Sequence, residues 1–166
     1  MAAWRMSMRP HKDWRKLKMT NVWEECYQHG VAAIAYTPFL DTDLSRFRRF
    51  EPAKAWAQLK GAQKGSFRRV VYAEADDEMK TGDVIYVKHG PLIVCKGVVT
   101  GPYQFDKANR IHGVTMPWQH QRPVRWEKGY PEITIEVGGS QIHTVQQLTD
   151  DDVARIESAV RRARRG

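Results

Sequence analysis

Apolar positions follow two rhythms along the chain, and the change between them falls near Gly82. Before it the spacing is helical or continuous. Val22, Trp23 and Cys26 follow Thr20-Asn21, with Glu24 and Glu25 where a helix N-terminus favours acids; this predicts a short helix over about 21–29, ended by Gly30. Val31-Ala-Ala-Ile-Ala-Tyr36 is a compact apolar run stopped by Thr37-Pro38, the pattern of a buried strand. Pro52 in a first-turn position, followed by Ala53, Ala55, Trp56 and Leu59, predicts a second helix ending near Gly61. Ser66 is placed to cap a third, with Phe67, Val70, Val71 and Met79 roughly on one side.

After Gly82 the rhythm becomes β. Asp83 to Val87 and Leu92 to Cys95 are short β-branched runs joined by His89-Gly90-Pro91, which is hairpin chemistry. Gly97 interrupts the second run before Val98 and Val99, marking a bulge or a close backbone approach. Pro123 to Trp126 and Ile133 to Val137 alternate in period two, so each is expected to bury one face. The last element is an amphipathic helix: Thr149 caps it, Asp150, Asp151 and Asp152 fill its first turn, and Arg161, Arg162, Arg164 and Arg165 its last. Val153, Ile156 and Val160 form its inward stripe. Five or six strands with three or four helices make an α+β domain whose strands are too short and hairpin-like for a parallel sheet.

Length and composition narrow the class. At 166 residues and 42% hydrophobic, one domain over 1–166 with a single core is expected, and disorder is excluded. No run of 18 apolar residues occurs and Met1 to Met8 has no apolar h-region, so neither a membrane span nor a secretory signal is expected. Cys26 and Cys95 stand in apolar contexts far apart, which reads as reduced buried thiols in a cytoplasmic protein.

The formal charge of +8 is unevenly distributed. Residues 1–20 carry six bases and one acid, 45–70 eight bases and one acid, and 87–130 seven bases and two acids, with acidic blocks between them. Folding can gather such blocks into a phosphate-tracking surface, or leave them as solvated faces.

Catalytic templates are missing from the sequence. Neither cysteine belongs to a CxxC, the six histidines form no HxH or HExxH, and no GxxxxGK[ST] or GxGxxG occurs. Asp83 begins a strand, but the next carries Val94-Cys95-Lys96, without the acid of a metal-dependent nuclease core. Trp23, Glu24 and Glu25 beside Cys26 argue against a nucleophilic thiolate. No enzyme, metal or cofactor is expected.

Several strings together are similar to a known group. Val31 to Tyr36 followed by Asp43-Leu44, Lys80-Thr-Gly82-Asp83-Val-Ile-Tyr-Val87, Lys96-Gly-Val-Val-Thr-Gly-Pro-Tyr103 and His120-Gln-Arg-Pro-Val-Arg-Trp126 resemble the EVE and YTH-like branch of the PUA-like superfamily, over about residues 30–126. Such domains often have Ile-Gly-Trp where this chain has Ile34-Ala35-Tyr36, so Ala35 adds a methyl group at a point of close approach. The resemblance implies a small, curved, barrel-like antiparallel sheet flanked by helices and a pocket for a flipped base. It also implies recognition of a methylated or hydroxymethylated base in DNA, as the reader of a modification-dependent restriction or defence system. With no nuclease motif here, that role requires a separate nuclease subunit.

The chemistry of such a pocket is general. Flipping a base costs a few kcal/mol, stacking on an aromatic face returns roughly 1–3 kcal/mol, and burying a methyl group adds about 0.8 kcal/mol. Trp14, Tyr36, Tyr103 and Trp118 are the candidate walls, and Asp43 the candidate acceptor for an exocyclic amine. The plainer readings are that Tyr103 pins a strand through its hydroxyl and that Asp43 caps a turn. Trp23, Tyr86, Trp56 and Trp126 stand in periodic apolar patterns and read as core. Lys12, Arg15, Lys16, Arg46, Arg48, Arg49, Arg68, Arg69, Arg122 and Arg125 are the phosphate-contact candidates. Three alternatives stand beside base reading in DNA. One is binding of modified RNA, another an ASCH-type nucleoside hydrolase built on a lysine paired with a glutamate, although its Lys-x-x-Glu-x-Arg string is absent here, and the third a scaffold whose C-terminal helix docks on a partner.

Overall fold

A computed structural model describes residues 1–8, 22–35, 42–46, 61–73, 78–111, 118–137 and 144–166, with only the backbone of 46 and 61–64. The expected helix over 52–60, with Trp56, lies outside them. The described chain runs β1 (Ala3–Met6), α1 (Val22–His29), β2 (Val31–Ile34), a 3-10 turn (Leu44–Arg46), α2 (Gly61–Val71), β3 (Val84–His89), β4 (Leu92–Val99), β5 (Gln104–Phe105), β6 (His120–Trp126), β7 (Ile133–Thr134), β8 (Val145–Gln147) and α3 (Asp150–Ala163). It is an α+β fold: the eight strands form one curled, half-barrel sheet in the order β2-β6-β4-β3-β1-β8, with β5 also on β6 and β7 also on β4.

Local signals explain most of the elements. Thr149 Oγ1 accepts from Asp152 N at 3.1 Å while Asp152 Oδ2 accepts from Thr149 N at 3.4 Å, the reciprocal capping box that starts α3. Gly30, at φ 63, ends α1 in the left-handed region and leads directly into β2. The β3–β4 hairpin forms as expected, with a register shift after Val87. Gly97 marks a close approach: a Cβ there would meet Trp126 Cε3 at 2.4 Å and Val124 Cγ1 at 2.5 Å.

Other features depart from the sequence reading. Strands β1, β5 and β8 lie where no strand is expected, and β1 pairs with β3 in parallel, Ala3 to Val84 through Met6 to Val87; the other pairings are antiparallel. Ser66 does not cap α2. It is buried inside that helix, its hydroxyl accepting from Val145 N at 3.3 Å, and Gly61 is itself helical. Met79 lies beyond the helix but joins the same core.

Helices cover both faces of the sheet. The larger core joins Trp4, Met6, Ile85, Val87 and Trp126 to Val22 and Cys26 of α1 and Phe67 and Val70 of α2. The smaller core joins Tyr86, Ile93 and Leu148 to Ile156 and Val160 of α3. Burial of each such aliphatic side chain contributes about 1.5–3 kcal/mol.

Candidate functional site

The N-terminal end of β6 gathers an aromatic group from distant parts of the chain. His120 pairs with Ile34 of β2 on one side and Phe105 of β5 on the other. The Tyr103 ring lies nearly parallel to the His120 ring, 19° between planes and 6.0 Å between centroids. Phe67 of α2 meets the same imidazole edge-on at 5.0 Å, and Phe105 lies tilted against it, 54° between planes, at 5.4 Å. The Tyr103 Oη is 2.9 Å from His120 Nδ1 and accepts from Leu44 N at 3.3 Å, which ties the 3-10 turn to β6. Burial first, then the nearby Asp43 charge, push the phenol well above its usual pKa, against the Leu44 N–H that lowers it. The protonated phenol and the imidazole nitrogen are thus within hydrogen-bond distance of each other.

Asp43 stands at the edge of this group. Its Oδ1 accepts from Ser45 N at 3.0 Å and from Ser45 Oγ at 2.6 Å, so it caps the 3-10 turn. Behind the group, Gln104 Nε2 donates to Gln121 Oε1 at 3.3 Å, and Gln121 Nε2 donates to Trp118 O at 3.0 Å. Asp106 accepts from Arg110 N at 2.8 Å and Ala108 N at 3.2 Å. Burial pushes its carboxyl up, but these N–H groups and the Arg110 guanidinium outweigh it and hold it below the usual range.

The other expected pocket and phosphate residues fare differently. Trp14, Tyr36, Lys12, Arg15, Lys16, Arg48 and Arg49 lie outside the described residues, as does the side chain of Arg46. Trp118, expected as a pocket wall, is 7% exposed and belongs to the larger core. Arg122, expected at a phosphate, is 1% exposed: its Nε, Nη2 and Nη1 donate to Val70 O at 2.5 Å, Tyr72 O at 3.1 Å and Gly101 O at 3.3 Å. Its guanidinium is consumed by backbone carbonyls and cannot face solvent. Arg69 likewise donates to Val145 O at 2.9 Å, and Arg68 pairs with Glu78 at 3.7 Å. Arg125 is exposed on β6. Tyr103, Asp43 and the residues around His120 are therefore what the fold brings together.

Two further clusters carry no obvious sequence signal. Glu157 Oε1 accepts from Tyr86 Oη at 2.6 Å and from Lys96 Nζ at 2.7 Å, beside a cavity of about 450 Å³ lined also by Ala2, Val84, Leu148 and Val153. Asp83 Oδ1 accepts from Ala2 N, and its Oδ2 from Trp4 Nε1 and Lys80 N. Both cysteines are free and buried. Burial pushes the Cys26 thiol far up and Cys95 up to about 11, so neither supplies a thiolate near neutral pH. Among the described residues no group of three His, Cys, Asp or Glu side chains could hold a metal ion, and no helix is long and apolar enough to cross a membrane.

No curated protein matches this sequence. One family model matches residues 4–150, from β1 to the first residue of α3, and the chain belongs to that family, a domain of unknown function (DUF8426).

Proposed function

We propose that this protein is a nucleic-acid-binding module that receives an unstacked, modified base at the Tyr103–His120 end of β6, in DNA more than in RNA. The observation that carries the reading is the near-parallel Tyr103 and His120 rings with Asp43 beside them. A π-face returns stacking energy to a flipped base, and a neighbouring carboxylate accepts from its exocyclic amine. Asp43 immediately precedes the basic block 45–70, Tyr103 and His120 lie within the basic block 87–130, and in this reading these blocks supply the phosphate contacts, Arg125 among them. Lacking a nuclease motif, the module works beside a separate nuclease. Binding curves on duplexes with and without methylated or hydroxymethylated bases test this. A preference for one modified base supports it, and equal affinity for all would leave nonspecific attraction.

One observation favours a second reading, hydrolysis of an acylated nucleoside. Lys96 and Glu157 form the lysine–glutamate pair such chemistry needs, 2.7 Å apart beside a cavity. Product from acylated nucleosides, lost in Lys96→Ala, would support it.

A further inference from the structure

We propose that the sheet face under helix α3 carries a phosphate-binding site made by Lys88 and Arg5. Arg5 of β1 is in register with Tyr86 of β3 and with Gln146 of β8. Side chains two apart on a strand share a face, so Lys88, two beyond Tyr86, lies diagonal to Arg5 on the α3 side, with Ile93 of β4 opposite. Neighbouring strands lie about 4.8 Å apart, so two long side chains on one face of β1 and β3 can reach a common phosphate group.

Both cations are buried, Lys88 at 6% exposure and Arg5 at 5%. The Arg5 Nε and Nη2 donate to Gln146 Oε1 at 3.0 and 2.5 Å. Lys88 has no hydrogen bond and no ion pair among the described residues. The charged groups it faces are Arg5, which repels it, and Glu136, an exposed residue. Asp152, the acid facing Arg5, already accepts from Thr149 N and reaches Arg155 at 3.9 Å. No carboxylate is dedicated to Lys88.

Desolvating an ammonium beside a second cation is unfavourable unless an anion joins them. A methionine would fill the same space without that cost, so the lysine reads as stability given up for binding. A tetrahedral phosphate, with several acceptor oxygens, reaches both groups at once. The site lies on the α3 face, whereas His120 packs on Phe67 in the larger core, so the two sites are testable separately.

Thermal unfolding of the full chain with inorganic phosphate, against chloride at equal ionic strength, provides the test. Wild type should gain about 4 °C at ten times Kd. Lys88→Met should melt higher than wild type without ligand and lose the phosphate response, while Lys88→Arg retains it. A nucleoside monophosphate and a 12-residue single-stranded oligonucleotide form further arms. A response shared by inorganic phosphate and the monophosphate marks a small ligand, and a tighter response to the oligonucleotide marks a backbone phosphate. Either supports the site if Lys88→Met abolishes it. No rise in wild type, or an equal rise in Lys88→Met, overturns it. If Lys88→Met does not fold, calorimetric titration of wild type with inorganic phosphate decides, and absence of saturable heat overturns the site. Tyr103→Ala should leave the response intact.

Discussion

The Trp4 indole donates to Asp83 Oδ2 at 2.9 Å, with both residues buried, and this bond fastens the N-terminal strand to a turn 79 residues away. Asp83 also accepts from Ala2 N at 2.8 Å and Lys80 N at 3.0 Å, so one carboxylate ends the turn before β3 and holds β1 parallel to it. Asp83→Ala leaves these donors without their acceptor, and each buried unpaired donor costs about 1–3 kcal/mol. A loss of about 3 kcal/mol is expected by urea denaturation, with Asp83→Asn intermediate because its amide nitrogen would oppose another donor.

Arg122 separates a structural role from a phosphate role. Burial lowers its pKa to about 10, against the nearby Asp83 and Glu78 charges, and its three carbonyl partners are backbone. Lysine cannot reproduce that fork, so Arg122→Lys and Arg122→Met should each destabilise the fold by about 3 kcal/mol. A phosphate-contact residue would instead leave stability unchanged and reduce the salt slope of nucleic-acid binding by about one.

Gly97 should tolerate no side chain. A methyl group would lie 2.4 Å from Trp126 Cε3, a buried ring whose Nε1 is itself bound to Cys26 O at 3.3 Å. Overpacking of this kind costs about 1–3 kcal/mol, and Gly97→Ala should show it as a lower urea midpoint with unchanged slope.

Helix α3 should loosen in acid. Burial raises the Glu157 pKa, but hydrogen bonds from Lys96 and Tyr86 outweigh it, so the folded value lies below the usual 4.5. A carboxylate whose folded pKa is depressed stabilises the protein above its unfolded pKa and loses that contribution as pH falls through the folded one. Hydrogen exchange of the α3 amides should therefore speed up as pH drops below 4.5, after correction for intrinsic exchange. Glu157→Gln should remove this step.

What the sequence shows and hides follows from the range of each signal. Helix α3 is legible because its cap, charge order and apolar stripe lie within 150–163 and its flanking Thr149. The β3–β4 hairpin is legible through His89-Gly90-Pro91. Strand β1 is not: Ala3-Trp-Arg-Met6 shows no clean alternation, and its partner lies some 80 residues on. Arg122 alternates like a solvent-facing residue, but the carbonyls that bury it come from the end of α2 and the loop at Gly101. Tyr103 after Gly101-Pro102 was a readable candidate, whereas its stacking partner His120 emerges only when β5 and β6 pair. Lys88 reads as an ordinary strand residue until Arg5 arrives beside it from β1.

Equilibrium binding of matched duplexes that differ only in one methylated base tests the proposed base reading at Tyr103. Burial of one methyl group predicts about a fourfold preference for the modified duplex. Tyr103→Ala should erase that preference while leaving the salt slope unchanged. Equal affinity of wild type for modified and unmodified duplexes, with salt dependence alone, would rule out base reading at Tyr103.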